Sequence, residues 1–300
     1  MIVVVGATGA LGGGICRRLK ARGHSVRALV RTGAHVETLA ALGVETVHGD
    51  LKAAASLARL CEGASAIIST ANTIRSRRAG DTFETVDRDG HVALIHAARG
   101  ARVPRFVFVS VSATLPPDNA FVRAKRTVER ALRSSGLAWT ILQPAAFMEV
   151  HCGEPLGWDF ARARARILGD ANLPRAYVSM HDVAHLAATV VDDVRAVDRI
   201  LPITGPEPLS AGEAVRVMER ALQRPVRVQR VPRWALRLMA AGLSPLSQVG
   251  SSLLSMSSNA RPEVECTRAV EHEFGVRLTP FSDYVLHAIS ATASRASRAD

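Results

Sequence analysis

The residues best suited to chemistry stand at the start of the chain. Gly6-Ala7-Thr8-Gly9-Ala10-Leu11-Gly12 follows directly on the β-branched run Ile2-Val3-Val4-Val5. Such a run reads as a strand buried on both faces, as in a parallel sheet. Beyond the turn, Leu11, Ile15 and Leu19 fall four apart on one helix face, and Arg17, Arg18, Lys20 and Arg22 lie off it. Gly23 stands where the helix would end, and Val26 to Val30 reads as a second strand. A glycine-rich turn between strand and helix can seat a diphosphate. Gly6 permits the tight turn, Gly9 admits the anion to the backbone, and Gly12 lets the helix pack close. Thr8, Ala10 and Leu11 complete the cradle, where free N–H groups and the positive helix end meet the phosphates. A structural turn without ligand is the alternative.

The end of the second strand selects among dinucleotides. NAD sites place a carboxylate there for the ribose hydroxyls. Here the residues are Arg31, Thr32 and Gly33. A guanidinium makes charge-assisted, often bidentate bonds to a 2′-phosphate. The expected cofactor is therefore NADP(H), with a merely solvated Arg31 as the alternative. Val44 to Val47 reads as a third strand and Ala66 to Thr70 as a fourth. Ligands of open α/β sheets lie beyond the carboxyl ends of the strands, so Thr70, Ala71 and Asn72 are expected to flank the cofactor.

These segments resemble the atypical short-chain dehydrogenase/reductases, and specifically the NmrA-like family. The GATGALG turn, the RALVR strand end, the HGDL segment at 48–51 and the stretch from Val86 to Ser110 carry the resemblance. ILQPAAFME at 141–149 and YVSMHDVA at 177–184 resemble later motifs of the family. The resemblance runs to about residue 230. It implies a Rossmann-type doubly wound parallel sheet over residues 1–150 and a smaller substrate-binding α/β part over 151–290, with segments packing back on the first. It also places Asp50, with Leu51 beside it, near the adenine; an N-cap for a helix over Lys52 to Leu60 is the alternative for Asp50. Pro144, Ala146 and Phe147 would pass beside the nicotinamide.

In the parent superfamily a tyrosine passes the proton, a lysine four residues later holds the ribose and lowers the tyrosine's pKa, and a serine lies nearby. The matching stretch is Phe121-Val122-Arg123-Ala124-Lys125, with phenylalanine in the tyrosine's place. Lys125 is one of only three lysines, beside 35 arginines. An ammonium can reach ribose hydroxyls and lose its proton when desolvated, which a guanidinium cannot. Lys125 is therefore the leading catalytic and cofactor-binding candidate. Its alternative is a surface pair with Glu129 at i+4. Ser110 and Ser112 follow the fifth strand, Arg105 to Val109, and either can take the serine's place; ordinary loop polarity is the alternative. The family's arginine-proline appears as Gln143-Pro144. Glu149, His151, Tyr177 and His181 are weaker candidates, and Asp182 is expected to cap a helix over Val183 to Val191.

Composition narrows the rest. The net charge is +11, but the arginines are scattered and without aromatic interleaving, so no nucleic-acid partner is expected. The densest basic cluster is Arg75, Arg77 and Arg78. Cysteines at 16, 61, 152 and 266 have no metal-ligand spacing, so no metal site is expected. The apolar stretch from Trp234 is interrupted by Arg237, Gly242 and Pro245, which argues against a membrane span. A leaderless cytoplasmic protein is expected, as monomer or homodimer, with Ser210 and Glu213 forming a capping box and residues 291–300 an unordered tail. Three functions fit: an NADPH-dependent oxidoreductase on a small organic substrate, an NADP(H)-sensing regulator without turnover, or a non-redox lyase or isomerase.

Overall fold

The computed structural model describes the chain except Arg75, Arg77 and residues 244–253, 255–256, 258–260, 264–267 and 297–300. Two members of the basic cluster, and most of the apolar stretch beyond 243, thus lie outside the described residues.

The chain opens as its sequence dictates. β1 (Ile2–Val5) is buried at every position, α1 (Ala10–Ala21) follows the glycine turn, and β2 (Val26–Val30) pairs parallel to β1. Gly23 has φ +82°, the left-handed conformation of a helix stop. Next come α2 (Glu37–Ala41), β3 (Glu45–His48), α3 (Ala54–Cys61) and β4 (Ala66–Ser69). A π-helix (Phe83–Gly90) runs straight into α4 (His91–Gly100). β5 (Arg105–Val109), α5 (Ala120–Arg133) and β6 (Ala138–Pro144) complete the pattern. The sheet order is β3-β2-β1-β4-β5-β6-β9, where β9 is Arg199–Ile203. Neighbours from β3 to β6 run parallel. The order reverses between β1 and β4, the place where doubly wound sheets open a ligand crevice.

The chain forms two compact units. The first holds Met1–Val111, Pro117–Gln143 and Val183–Leu201; the second holds Ser112–Pro116, Pro144–Asp182 and Pro202–Asp300. The sequence places the boundary at 150 and expects later segments to pack back on the first part; residues 183–201 belong to the first unit. The first unit's core is aliphatic with Phe106 and Phe108 added. The second unit packs Trp158, Phe160, Tyr177 and Phe281 with Met148, Met218 and Val285. Its α8 (Ala211–Leu222) begins with the expected Ser210–Glu213 capping box. β11 (Arg227–Val231) pairs parallel to β7 (Arg164–Leu168). The final helix, Phe281–Ala296, extends through residues 291–296, where the sequence predicts an unordered tail.

Candidate active site

The glycine turn is tightly packed against its own chain. Gly6 has φ +91°, and a Cβ there would lie 2.7 Å from Thr70 Oγ1 and 2.8 Å from Ala71 N. The turn thus abuts the segment after β4. A Cβ on Gly12 would stand 2.1 Å from the Gly6 carbonyl oxygen. Gly9 is the N-cap of α1 and carries no side-chain cap, and no acidic residue lies in the first turn. Thr8, Gly9 and Ala10 are exposed and Leu11 half-buried. Exposed amide donors at an uncapped helix end suit a diphosphate. Thr70 donates from Oγ1 to Val5 O at 3.3 Å, and Asn72 Oδ1 accepts from Ile74 N at 3.1 Å.

Arg31 lies at the end of β2, but not as a free cation. It meets Asp81 Oδ2 at 2.6 Å, and Lys52 Nζ meets Asp81 Oδ1 at 2.6 Å. Burial would raise the Asp81 carboxyl, but hydrogen bonds from Lys52, Ser76 and Arg31 hold it below the ordinary range. Arg78 donates to the Thr32 carbonyl. Lys52 and Arg78 thus join Arg31 in a basic corner, of which the sequence assigned only Arg31 to a phosphate. Asp50 is not the N-cap of α3, which begins at Ala54 after Ala53. Its Oδ1 instead accepts Lys52 N at 2.9 Å, closing a turn ahead of the helix, and Leu51 is buried.

Lys125 is buried, at 2% exposure, so the surface pair with Glu129 is overturned. The ammonium donates to Ala71 O at 3.2 Å and lies 3.6 Å from Asp87 Oδ1. It also stands 5.0 Å from the Phe108 ring centroid and 5.5 Å from that of Phe121. Phe121, in the tyrosine's place, offers a π face to the cation and keeps water away. Burial pushes the Lys125 ammonium below its ordinary value, and Asp87 opposes that shift. Burial raises the Asp87 carboxyl, against the pull of Lys125 and of bonds from Thr73. His91, fully buried, donates from Nδ1 to Val86 O at 3.0 Å, so Nε2 accepts from Ser69 Oγ at 2.9 Å. Burial, then the Lys125 charge, lowers it to about 3. The ring is neutral in the fold.

The two serines part company. Ser110, in the first unit, donates to Glu129 Oε1 at 2.5 Å, the oxygen that also accepts from Gln143 at 3.0 Å and Arg126 at 2.5 Å. Ser112, in the second unit, donates to Glu263 Oε1 at 2.5 Å. Neither has a hydrogen bond to Lys125 among those described. The glutamine replacing the family's arginine thus serves the Ser110–Glu129 network.

In the second unit, Pro144 ends β6, and the next residues form a short ladder. Ala145 N donates to Ile203 O, Val178 N to Ala146 O, and Met148 N to Val178 O, with Phe147 opposite Val178. Glu149 accepts Ser179 Oγ at 2.8 Å and Met180 N at 2.9 Å. It therefore anchors the N-terminus of α7 (Met180–Val190), and burial raises its carboxyl. Asp182 lies inside that helix rather than capping one that starts at 183. Its carboxylate accepts Thr279 N and Oγ1, both at 2.7 Å. His181 is largely exposed beside it. His151, Trp158, Arg166, Arg175 and Tyr177 line a cavity of about 30 Å³, room for a water.

A parallel sheet with a switch point, a glycine cradle on a helix end and a basic corner after β2 define a Rossmann-type nucleotide-binding protein. Residues 6–194 match the family described as NAD(P)H-binding. The chain belongs to that family, within the NmrA-like atypical short-chain dehydrogenase/reductases. It is 32% identical to (4-alkanoyl-5-oxo-2,5-dihydrofuran-3-yl)methyl phosphate reductase of Streptomyces griseus, covering 83% of this chain and 84% of that one. It is 31% identical to photosystem II assembly factor Ycf39 of Synechocystis, covering 79% of this chain and 72% of the other. The fold superposes on Citrobacter triphenylmethane reductase complexed with NADP(H), with TM-score 0.78, 20% identity, and 96% and 100% of the two chains covered. The NADP(H) expectation agrees with the family. Among the described residues, no helix is long and apolar enough to cross a membrane.

Proposed function

We propose that the protein is an NADPH-dependent oxidoreductase acting on a small organic substrate, with Lys125 in the role that the superfamily gives to tyrosine and lysine together. The observation that carries this reading is the buried Lys125 ammonium, bonded to Ala71 O beyond the carboxyl end of β4 and walled by Phe108 and Phe121. Phe121 has no proton to give, so the ammonium is the donor at that position. Bound NADPH supplies a hydride. Gly9 admits the diphosphate to the backbone while Gly6 and Gly12 shape the turn, Arg31 and Lys52 meet the 2′-phosphate, and Thr70, Ala71 and Asn72 border the cofactor.

The reductase relative from Streptomyces griseus supports turnover on a small organic molecule. NADPH absorbance, followed across a panel of quinones, azo dyes and enones, tests the proposal. Lys125→Met should abolish the oxidation of NADPH by any active substrate while leaving NADPH binding measurable. Undiminished turnover would remove the lysine from the mechanism.

A second reading is favoured by one feature. Phe121 removes the ordinary acid, and a relative of nearly equal identity is an assembly factor. On this reading the protein binds NADP(H) without turnover and acts on another protein. A panel-wide absence of NADPH oxidation by a protein that binds NADPH would select it.

A further inference from the structure

The π-helix Phe83–Gly90 is the least expected element of the fold, and it presents Asp87 to Lys125. Its start is built by Thr82 and Thr85, each side chain accepting the other's backbone N–H. π-Turns are costly and recur at functional sites. Here the widened turn puts a fully buried carboxylate beneath the end of α5's longest buried side chain. Asp87 Oδ2 is held by Thr73 N at 3.0 Å and Thr73 Oγ1 at 2.7 Å. Among the described residues, Oδ1 is buried without a hydrogen-bond partner, and it forms an ion pair with Lys125 Nζ at 3.6 Å. A buried carboxylate oxygen without a bonded donor is costly unless it serves a charge.

We propose that Asp87 is the positioning residue for Lys125: it keeps the proton on Nζ in a dry pocket and aims the ammonium at the crevice side of Ala71. This rests on the reading of Lys125 as the proton donor. In the reaction, an N–H bond of Lys125 breaks and a bond from that proton to the substrate heteroatom forms. The hydride, with its electron pair, comes from NADPH. Lys125 is left as the amine, Asp87 remains a carboxylate, and uptake of one solvent proton (H⁺), the proton consumed in the net reduction, restores the ammonium. Without Asp87, burial between Phe108 and Phe121 would favour the amine, and no donor would stand ready. The charged and titratable groups around Lys125 are Asp87 on the π-helix, His91 on α4 and Glu129 on α5 itself. Neutral His91 adds no competing charge, and Glu129 is engaged by Ser110, Arg126 and Gln143.

The protein's three lysines make the test tractable. Selective ¹³C/¹⁵N-lysine labelling of the apo protein yields one Cε–Nζ signal each for Lys20, Lys52 and Lys125. Across a pH titration, the Lys125 signal should show an inflection from Asp87 above the ordinary carboxylate range. Lys52, beside Asp81, should show its inflection below that range. In Asp87→Asn the Lys125 ammonium should titrate at lower pH than in the native protein. Thr73→Val, which removes the Oγ1 bond to Oδ2 but keeps the backbone bond and the charge, should leave Lys125 protonated to nearly the native pH. With an active substrate, the alkaline limb of kcat should move down in Asp87→Asn, with kcat reduced about tenfold or more at pH 8. An unchanged or higher Lys125 titration in Asp87→Asn would overturn the proposal. If that variant does not fold, a native Lys125 signal with no such inflection does the same. Turnover that survives Lys125→Met, with the coupling intact, refutes the donor reading alone; lost turnover without coupling refutes Asp87 alone.

Discussion

Arg31 and Lys52 are clamped side by side, each 2.6 Å from a different oxygen of Asp81. One carboxylate thus gathers two cations that arise 21 positions apart in the chain. The proposed function gives the same pair a second anion, the 2′-phosphate, and the Arg31 side chain remains 38% exposed and that of Lys52 33% exposed. Arg31→Ala is expected to raise the Kd for NADPH about 10- to 100-fold, the worth of a charge-assisted bond or two, and to leave NADH nearly unchanged. Lys52→Met should act in the same direction by a smaller factor. Calorimetric titration with both dinucleotides checks this; an equal loss for both would remove the pair from phosphate recognition.

The glycine turn separates two neighbouring positions that look alike in sequence. A methyl on Gly12 would meet the Gly6 carbonyl at 2.1 Å, while one on Gly13 would meet the Ala7 carbonyl at 3.4 Å, an ordinary contact. Gly12→Ala should destabilise the protein by about 1–3 kcal/mol through forced backbone movement. Gly13→Ala should stabilise it by about 0.5–1 kcal/mol, since alanine loses less entropy in a helix. Urea unfolding of the two variants beside the native protein tests the contrast, and equal effects would contradict the packing described.

Much of this was legible locally. The strand, turn and helix at the N-terminus declare themselves because each depends on neighbours within about ten residues: β-branching, glycine freedom, four-residue spacing. The same is true of the Ser210–Glu213 box and the Gly23 stop. Lys125 was legible as an anomaly in an arginine-rich chain. Its partner was not. Asp87 lies 38 positions earlier, and helix arithmetic offered Glu129 at i+4 instead. The bonds that decide the matter are set by a π-turn, which inserts a residue that a 3.6-residue period does not anticipate. The one local signal was the Thr82–Thr85 pair that starts it. Asp182 failed for a related reason: its bonds go to Thr279, nearly a hundred positions away, so a local capping rule assigned it the wrong task.

That long-range contact gives the third expectation. Asp182 is 1% exposed and accepts two hydrogen bonds at 2.7 Å from one residue of the same unit. Asp182→Ala leaves the half-buried Thr279 amide and hydroxyl without their acceptor and should cost about 1–3 kcal/mol. Thr279→Val keeps the amide bond and should cost less, about 1 kcal/mol. Chemical denaturation measures both. Equal losses would show that the hydroxyl, rather than the backbone amide, dominates.

The last expectation concerns acid. His91 is fully buried, donates to Val86 O and accepts from Ser69, and its pKa falls from 6.5 to about 3. In the unfolded chain the same ring binds a proton below about 6.5. The unfolded state therefore holds more protons throughout the window between about 3 and 6.5, and stability must fall as pH drops through it. The limiting slope for one such ring is about 1.4 kcal/mol per pH unit. Asp87 works in the opposite sense: its raised carboxyl binds a proton in the fold before it does when unfolded, so it favours the fold as pH falls through the upper part of the carboxylate range. The slope assigned to His91 is therefore read as a difference. His91→Gln retains a donor for Val86 O but cannot take up a proton. Urea midpoints measured between about pH 6 and pH 4 should decline more steeply in the native protein than in the variant. Parallel declines would mean that the ring is protonated in the fold, and that the neutral histidine beneath Lys125 is wrong.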